Sequence, residues 1–279
     1  MPSPRRPRAA RFRPSSSGVH LLSCRHVIDR LVRGAGLGAG DLVIDFGAGP
    51  GTITAPLAGT GARVIAVERD EAFVAVLRRR FADRPLVRVL PGDLRRLPLP
   101  RTEFAVVASI PFAVSTTLLR RLLTPVPARL TRAELVCEWG LARRLTAAHP
   151  RDLETAWWTA RFELRLVRRI PASCFRPAPS VDAAHLRIRR RPGLDVATQA
   201  VLWSLLGAVH RQPDRPARRV LGDLVAHQRA GRLLRERGTD PATPAVEVPV
   251  GRWTGVAAAL AATGAVSPPP LPRALRGER

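Results

Sequence analysis

The segment Asp45-Phe46-Gly47-Ala48-Gly49-Pro50-Gly51 constrains this chain more than any other. It follows directly on the apolar run Leu42–Phe46, which reads as a buried strand, and it precedes a short helical stretch. Closely spaced glycines permit a tight bend and let a ligand approach the main chain. The spacing is G-x-G-x-G. It is not the G-x-G-x-x-G of dinucleotide folds, and a phosphate loop is excluded because no G-K-[ST] follows and the chain has no lysine.

Around this bend, short apolar runs alternate with stretches of helical period. Residues 62–67, 87–90, 104–108 and 135–136 read as strands. Residues 25–35, 71–81, 116–123 and 141–148 read as helices, with Phe73, Val74, Leu77 and Phe81 on the inner side of the second. The alternation predicts an α/β fold with a mostly parallel sheet covered on both faces. Residues 162–170 and 184–188 are extended, with no clear helix between them, and suit an antiparallel hairpin at the sheet edge. Beyond a break near residue 191, helices are expected over 200–209, 217–227 and 253–262. The organisation expected is a disordered basic arm over 1–17, a catalytic domain over 18–190, a helical domain over 191–265 and a frayed, Pro-rich tail over 266–279.

All 46 basic residues are arginine, against 22 acidic residues, for a net charge of +24. Such a surplus opposes compaction unless a polyanion neutralises it, and nucleic acid is the partner expected. Cys24, Cys137 and Cys174 are odd in number and lack CxxC spacing, which argues against a disulfide framework or a zinc ribbon. They are expected to be reduced, in a cytoplasmic protein with no metal site. No apolar run reaches the roughly 20 residues that span a bilayer, so no membrane partner is expected.

Two acidic residues sharpen the meaning of the bend. Glu68 ends the second strand, where a carboxylate can accept hydrogen bonds from ribose hydroxyls. Asp93 follows the third strand, where a carboxylate can bind an adenine amino group. Both converge on the crevice at which open α/β sheets bind ligands. A nucleoside without a pyrophosphate fits, and S-adenosylmethionine is the common one. The fourth strand then ends in Ser109-Ile110-Pro111-Phe112, which resembles the [D/N/S]-x-P-[F/Y/W] loop of amino-directed methyltransferases. In such a loop a side-chain oxygen and a backbone carbonyl hold an exocyclic amine, while the aromatic ring stacks on an extruded base.

In this order the motifs resemble those of the rRNA adenine-N6 methyltransferases, the Erm and KsgA/Dim families, over roughly residues 16–262. Ser17-Gly18-Val19-His20-Leu21-Leu22 stands in the place of the family's S-G-Q-[NH]-F-L element, and Phe175-Arg176-Pro177-Ala178-Pro179-Ser180-Val181 matches its F-x-P-x-P-x-V loop. The resemblance implies a Rossmann-like, class I S-adenosylmethionine-dependent fold with a small C-terminal helical domain bearing His210-Arg211 and Arg218-Arg219. It implies that His20, Leu22, Gly47, Gly49, Gly51, Glu68, Asp93 and Ser109 bind the cofactor. Ser109, Ile110, Pro111 and Phe112 would form the catalytic loop, and Phe112, Phe175, Arg176 and Pro177 would meet the substrate. The Arg-rich composition looks more like an Erm enzyme, which implies a monomer methylating one adenine of 23S rRNA, or of a ribosomal precursor, and conferring macrolide, lincosamide and streptogramin B resistance. Val19 stands where the family usually has Gln, and Ser109 where it usually has Asn. These departures motivate one alternative, a catalytically weakened RNA-binding protein of the same fold. Another is a small-molecule methyltransferase.

Overall fold

The computed structural model describes residues 20–277. The expected basic arm, together with Ser17, Gly18 and Val19, lies outside the described residues. Each apolar run near the bend becomes a strand: β2 (Leu42–Phe46), β3 (Arg63–Glu68), β4 (Val87–Pro91), β5 (Phe104–Ser109) and β6 (Leu130–Glu138). They lie parallel, in the order β4-β3-β2-β5-β6. Two antiparallel strands extend this sheet. β9 (Ala183–Arg190) pairs with β6, and β7 (Phe162–Ile170) pairs with β9 as the outer edge. The expected hairpin therefore forms with its later strand inside. The order reverses between β2 and β5, and the open crevice of such sheets lies at that point, beyond the strands' carboxyl ends.

The connecting segments follow their local chemistry. Helix α1 (Arg25–Ala35) buries Val27, Ile28, Leu31 and Ala35 on one face and stops at Gly36, whose φ of 56° is left-handed. The short α2 (Thr54–Leu57) follows the glycine bend. Helix α3 (Glu71–Arg80) starts where the Asp70 carboxylate accepts hydrogen bonds from the amides of Ala72 and Phe73, and it buries Phe73, Val74 and Leu77. After β5 come α4 (Ser115–Leu123) and, past β6, α5 (Trp139–Leu145). Helix α6 (Leu153–Arg161) was not foreseen. Asp152 caps it by accepting from the Thr155 amide at 2.7 Å, and its Trp157 and Trp158 are buried. A two-stranded ladder stands apart from the main sheet: β1 (Leu21–Leu22) pairs antiparallel with β8 (Phe175–Arg176).

The C-terminal region is helical: α7 (Val196–Arg211), α8 (Ala217–Gly222), α9 (His227–Arg235), α10 (Val250–Ala262) and α11 (Arg273–Arg276). One apolar core runs from the sheet through α4 and α6 into α7 and α10, and Trp157 meets Trp203 of α7 edge-on at 5.5 Å.

Four expectations are corrected. The single helix over 217–227 is broken after Gly222, and a second helix starts at His227, whose ring packs where a Cβ on Gly222 would stand 2.6 Å from Nδ1. The strand expected over 135–136 runs nine residues. Its charged Glu134 is fully buried and accepts hydrogen bonds from His185, Arg187 and Arg189, so the charge that masked the pattern is paired. The tail is not simply frayed, since Leu275 is buried and its carbonyl accepts from the Val126 amide at 2.7 Å. The cysteines are not all reduced: Cys24 and Cys174 form a disulfide, because the fold sets the start of α1 beside the turn before β8. Cys137 is free and buried.

Candidate active site

The carboxyl ends of β2, β3 and β5 open into a cleft of about 960 Å³. That lies at the upper end of the range of roughly 300–1,000 Å³ typical of small-ligand sites, so a nucleoside and a second base can be housed together. Of the site residues expected from sequence, all but Gly51 line it. Gly51 lies behind the bend with φ of 85°, where a Cβ would stand 2.9 Å from both Leu77 and Phe81, so it shapes the turn against α3.

Gly47, at φ of 75°, faces the ring of Pro111, so the glycine bend and the loop after β5 are in contact. Glu68 is 8% exposed and already engaged. Its Oε2 accepts from the Gly49 amide at 2.8 Å, and its Oε1 accepts from the amides of Arg69 and Asp70 at 2.7 and 2.9 Å. A carboxylate offers about four acceptor positions, so about one remains for a ribose hydroxyl. Asp93 is gripped by Arg95, whose backbone amide and guanidinium both donate to it. The Arg95 hydrogen bonds hold the Asp93 carboxyl down at about 2.

Sequence reasoning quoted Asp45 without giving it a role. It lies at the floor of the cleft, 1% exposed. Its Oδ2 accepts from Thr54 Oγ1 at 2.7 Å, whereas its Oδ1 has no partner among the described residues. Burial pushes its pKa up to about 7, against the Thr54 hydrogen bond and with the help of the Glu68 charge. The available signal was an acid inside an otherwise apolar strand. A buried, unpartnered carboxylate oxygen calls for a donor, preferably a cation. The ammonium of a methionine-bearing cofactor meets that need, so the residues present fit S-adenosylmethionine.

The loop after β5 presents the other half of the site. Ile110 donates its amide to the Val136 carbonyl at 3.0 Å and buries its side chain. The Pro111 carbonyl accepts from the Val114 amide, and Phe112 begins a single 3₁₀ turn. Phe112 is half-buried. Its ring meets Phe175 edge-on at 6.4 Å and the His20 ring at 6.2 Å, and His20 Nδ1 lies 2.9 Å from the Pro177 carbonyl. The two short strands β1 and β8 thus form one wall of the cleft, with Leu21 against Gly49 of the bend, and Arg176 and Pro177 sit exposed at its rim.

A parallel sheet with helices on both faces, and a nucleoside-sized cleft at its reversal point, define a Rossmann-like methyltransferase fold. The structure is similar to that of the 23S rRNA methyltransferase ErmE, with a TM-score of 0.76 at 23% identity over 85% of this chain and 98% of that one. Residues 11–262 match the family model for ribosomal RNA adenine dimethylase, and the chain belongs to that family. It is 33% identical over 178 residues to the rRNA adenine N-6-methyltransferase of Bacillus licheniformis, a match spanning 64% of this chain and 62% of that protein. It is 31% identical over 242 residues to the mycinamicin-resistance protein MyrB of Micromonospora griseorubida, covering 86% of this chain and 76% of that protein. No described helix is long and apolar enough to cross a membrane.

Proposed function

We infer that this chain transfers a methyl group from S-adenosylmethionine to N6 of one adenine in 23S rRNA, and so confers macrolide, lincosamide and streptogramin B resistance. The observation that carries this reading is the convergence of the glycine bend, Glu68, Ser109 and Phe112 on one cleft. Family membership and the resistance protein among its relatives support the reaction class and its outcome.

In this reading Asp45 Oδ1 accepts from the cofactor's ammonium, Glu68 from its ribose and Asp93 from its adenine amine, while His20 and Leu22 close over it. When bound, the cofactor supplies an electrophilic methyl group on a sulfonium centre. The chain does the remaining work by positioning. An exocyclic adenine amine is a poor nucleophile, because its lone pair is conjugated into the ring. Ser109 Oγ and the Ile110 carbonyl accept its two N–H groups and turn the lone pair towards the methyl carbon. Phe112 stacks on the extruded base, with Phe175 and the exposed Arg176 and Pro177 at the rim. Orientation and preorganised dipoles contribute most of the rate. The arginines of the C-terminal helices bind phosphates, so RNA affinity falls steeply with salt. The chain acts as a cytoplasmic monomer on 23S rRNA or a ribosomal precursor.

The test is to express the chain in a susceptible bacterium and map methylated adenines in both rRNAs by mass spectrometry. One N6-methylated adenine in 23S rRNA is the expected result. A mark confined to the small-subunit rRNA would overturn the target. Cofactor binding with no mark on either RNA would favour a small-molecule acceptor.

A further inference from the structure

Cys24 and Cys174 are bonded across 150 residues of sequence. Cys24 is partly buried at the N-cap position of the eleven-residue α1, whereas Cys174 is buried directly before Phe175. We propose that this pair is a thiol–disulfide exchange site for small dithiols and their disulfides, and that its state sets how firmly the β1–β8 wall closes on the cleft. The consequence for cofactor binding rests on the function proposed above.

Leu22 and Phe175 anchor the wall in an apolar cluster with α1 and the sheet, while its polar ties are few. The β1–β8 ladder has two residue pairs, Leu21 with Arg176 and Leu22 with Phe175. Ser23 adds two hydrogen bonds to the Cys174 carbonyl, from its amide at 2.8 Å and its hydroxyl at 3.0 Å. Ladders this short are marginal in water. The wall nevertheless carries His20 and Leu22 on one side and Phe175, edge-on to Phe112, on the other. A covalent bond at its base adds to this apolar anchoring and to the His20–Pro177 contact.

Access selects the sulfur attacked. A thiolate of the dithiol attacks the sulfur of Cys24, the less buried of the two, the S–S bond breaks, and Cys174 leaves with the electron pair and takes up a proton. The second thiolate of the reductant then attacks the mixed disulfide and releases Cys24. Two electrons and two protons pass to the protein, and the dithiol becomes a cyclic disulfide. Cys137 contrasts with this pair, since burial pushes its thiol up to about 12 and keeps it inert. Disulfides in reducing compartments are usually transient and redox-sensing.

The test equilibrates the full chain with oxidised or reduced dithiothreitol, then counts alkylated cysteines by mass spectrometry after denaturation. One labelled cysteine is expected in the oxidised sample and all three in the reduced one. Amide exchange over residues 20–24 and 174–177 should quicken on reduction. S-adenosylmethionine should bind about five- to tenfold more weakly, the scale of one or two lost hydrogen bonds. Cys24→Ser should show two labelled cysteines and the amide exchange and affinity of the reduced protein in either buffer. Three labelled cysteines under oxidising conditions, or equal exchange and affinity in both states, would overturn the proposal. If no rRNA is methylated, or no cofactor binds in either state, the thiol count and amide exchange still decide it, and the proposed reaction fails separately.

Discussion

Gly49 donates its amide hydrogen to Glu68 Oε2 at 2.8 Å, which joins the glycine bend after β2 to the carboxyl end of β3. With the amides of Arg69 and Asp70 on Oε1, one carboxylate holds three main-chain donors in place. Glu68→Ala leaves those donors without partners at a cost of about 1–3 kcal/mol for each one that water cannot reach. A lowered melting temperature and loss of cofactor binding by calorimetry are expected. Glu68→Gln should fold better, yet bind the cofactor less tightly than the parent.

Asp45 makes stability and cofactor affinity depend on pH in opposite directions. Its folded pKa of about 7 lies above the ordinary carboxyl value of 3.8, chiefly through burial. Between these values the folded state holds a proton that the unfolded state has lost, so the free protein loses stability as pH rises from about 4 to 7. The rise corresponds to an order of 4 kcal/mol as an upper bound. Cofactor binding should instead tighten as pH rises through 7, because the ionised carboxylate is the better partner for an ammonium. Asp45→Asn should flatten both profiles, measured by thermal unfolding and by calorimetry between pH 5 and 8.

Ser109 and Phe112 separate positioning of the amine from stacking of the base. Ser109→Ala removes one hydrogen-bond acceptor and should lower kcat by about 10²-fold. Phe112→Ala should lower kcat/KM for RNA by about ten- to a hundredfold, the scale of one lost base-stacking contact, and Phe112→Trp should retain most activity. Single-turnover methylation assays on an rRNA fragment read both effects.

Leu275 ties the last described helix to the core at 1% exposure. Leu275→Ala should cost about 2–5 kcal/mol in denaturant unfolding, as for other buried leucines. A cost near zero would return the segment to the frayed state expected from its proline content.

Several elements were legible because their signals are local. The glycine bend, the five parallel strands and the acids at the ends of two of them are read from runs of a few residues. Helix α6 was missed although Asp152 and Thr155 stand at capping distance in sequence, because two adjacent tryptophans blur its period. Strand β6 was shortened in the reading because Glu134 looks like a surface charge until His185, Arg187 and Arg189 arrive from β9.

The chain's own order of residues determined the alternating architecture, the bend and the identity of the loop that ends at Phe112, since period and turn chemistry act over neighbouring positions. Tertiary structure alone decided that Asp45 lies buried with an oxygen unpartnered among the described residues, that Glu68 is mostly occupied, and that Cys24 meets Cys174. The disulfide joins residues 150 apart, Glu68 meets Gly49 across 19, and the burial of Asp45 follows from the exclusion of water as the segments close. No local periodicity encodes these.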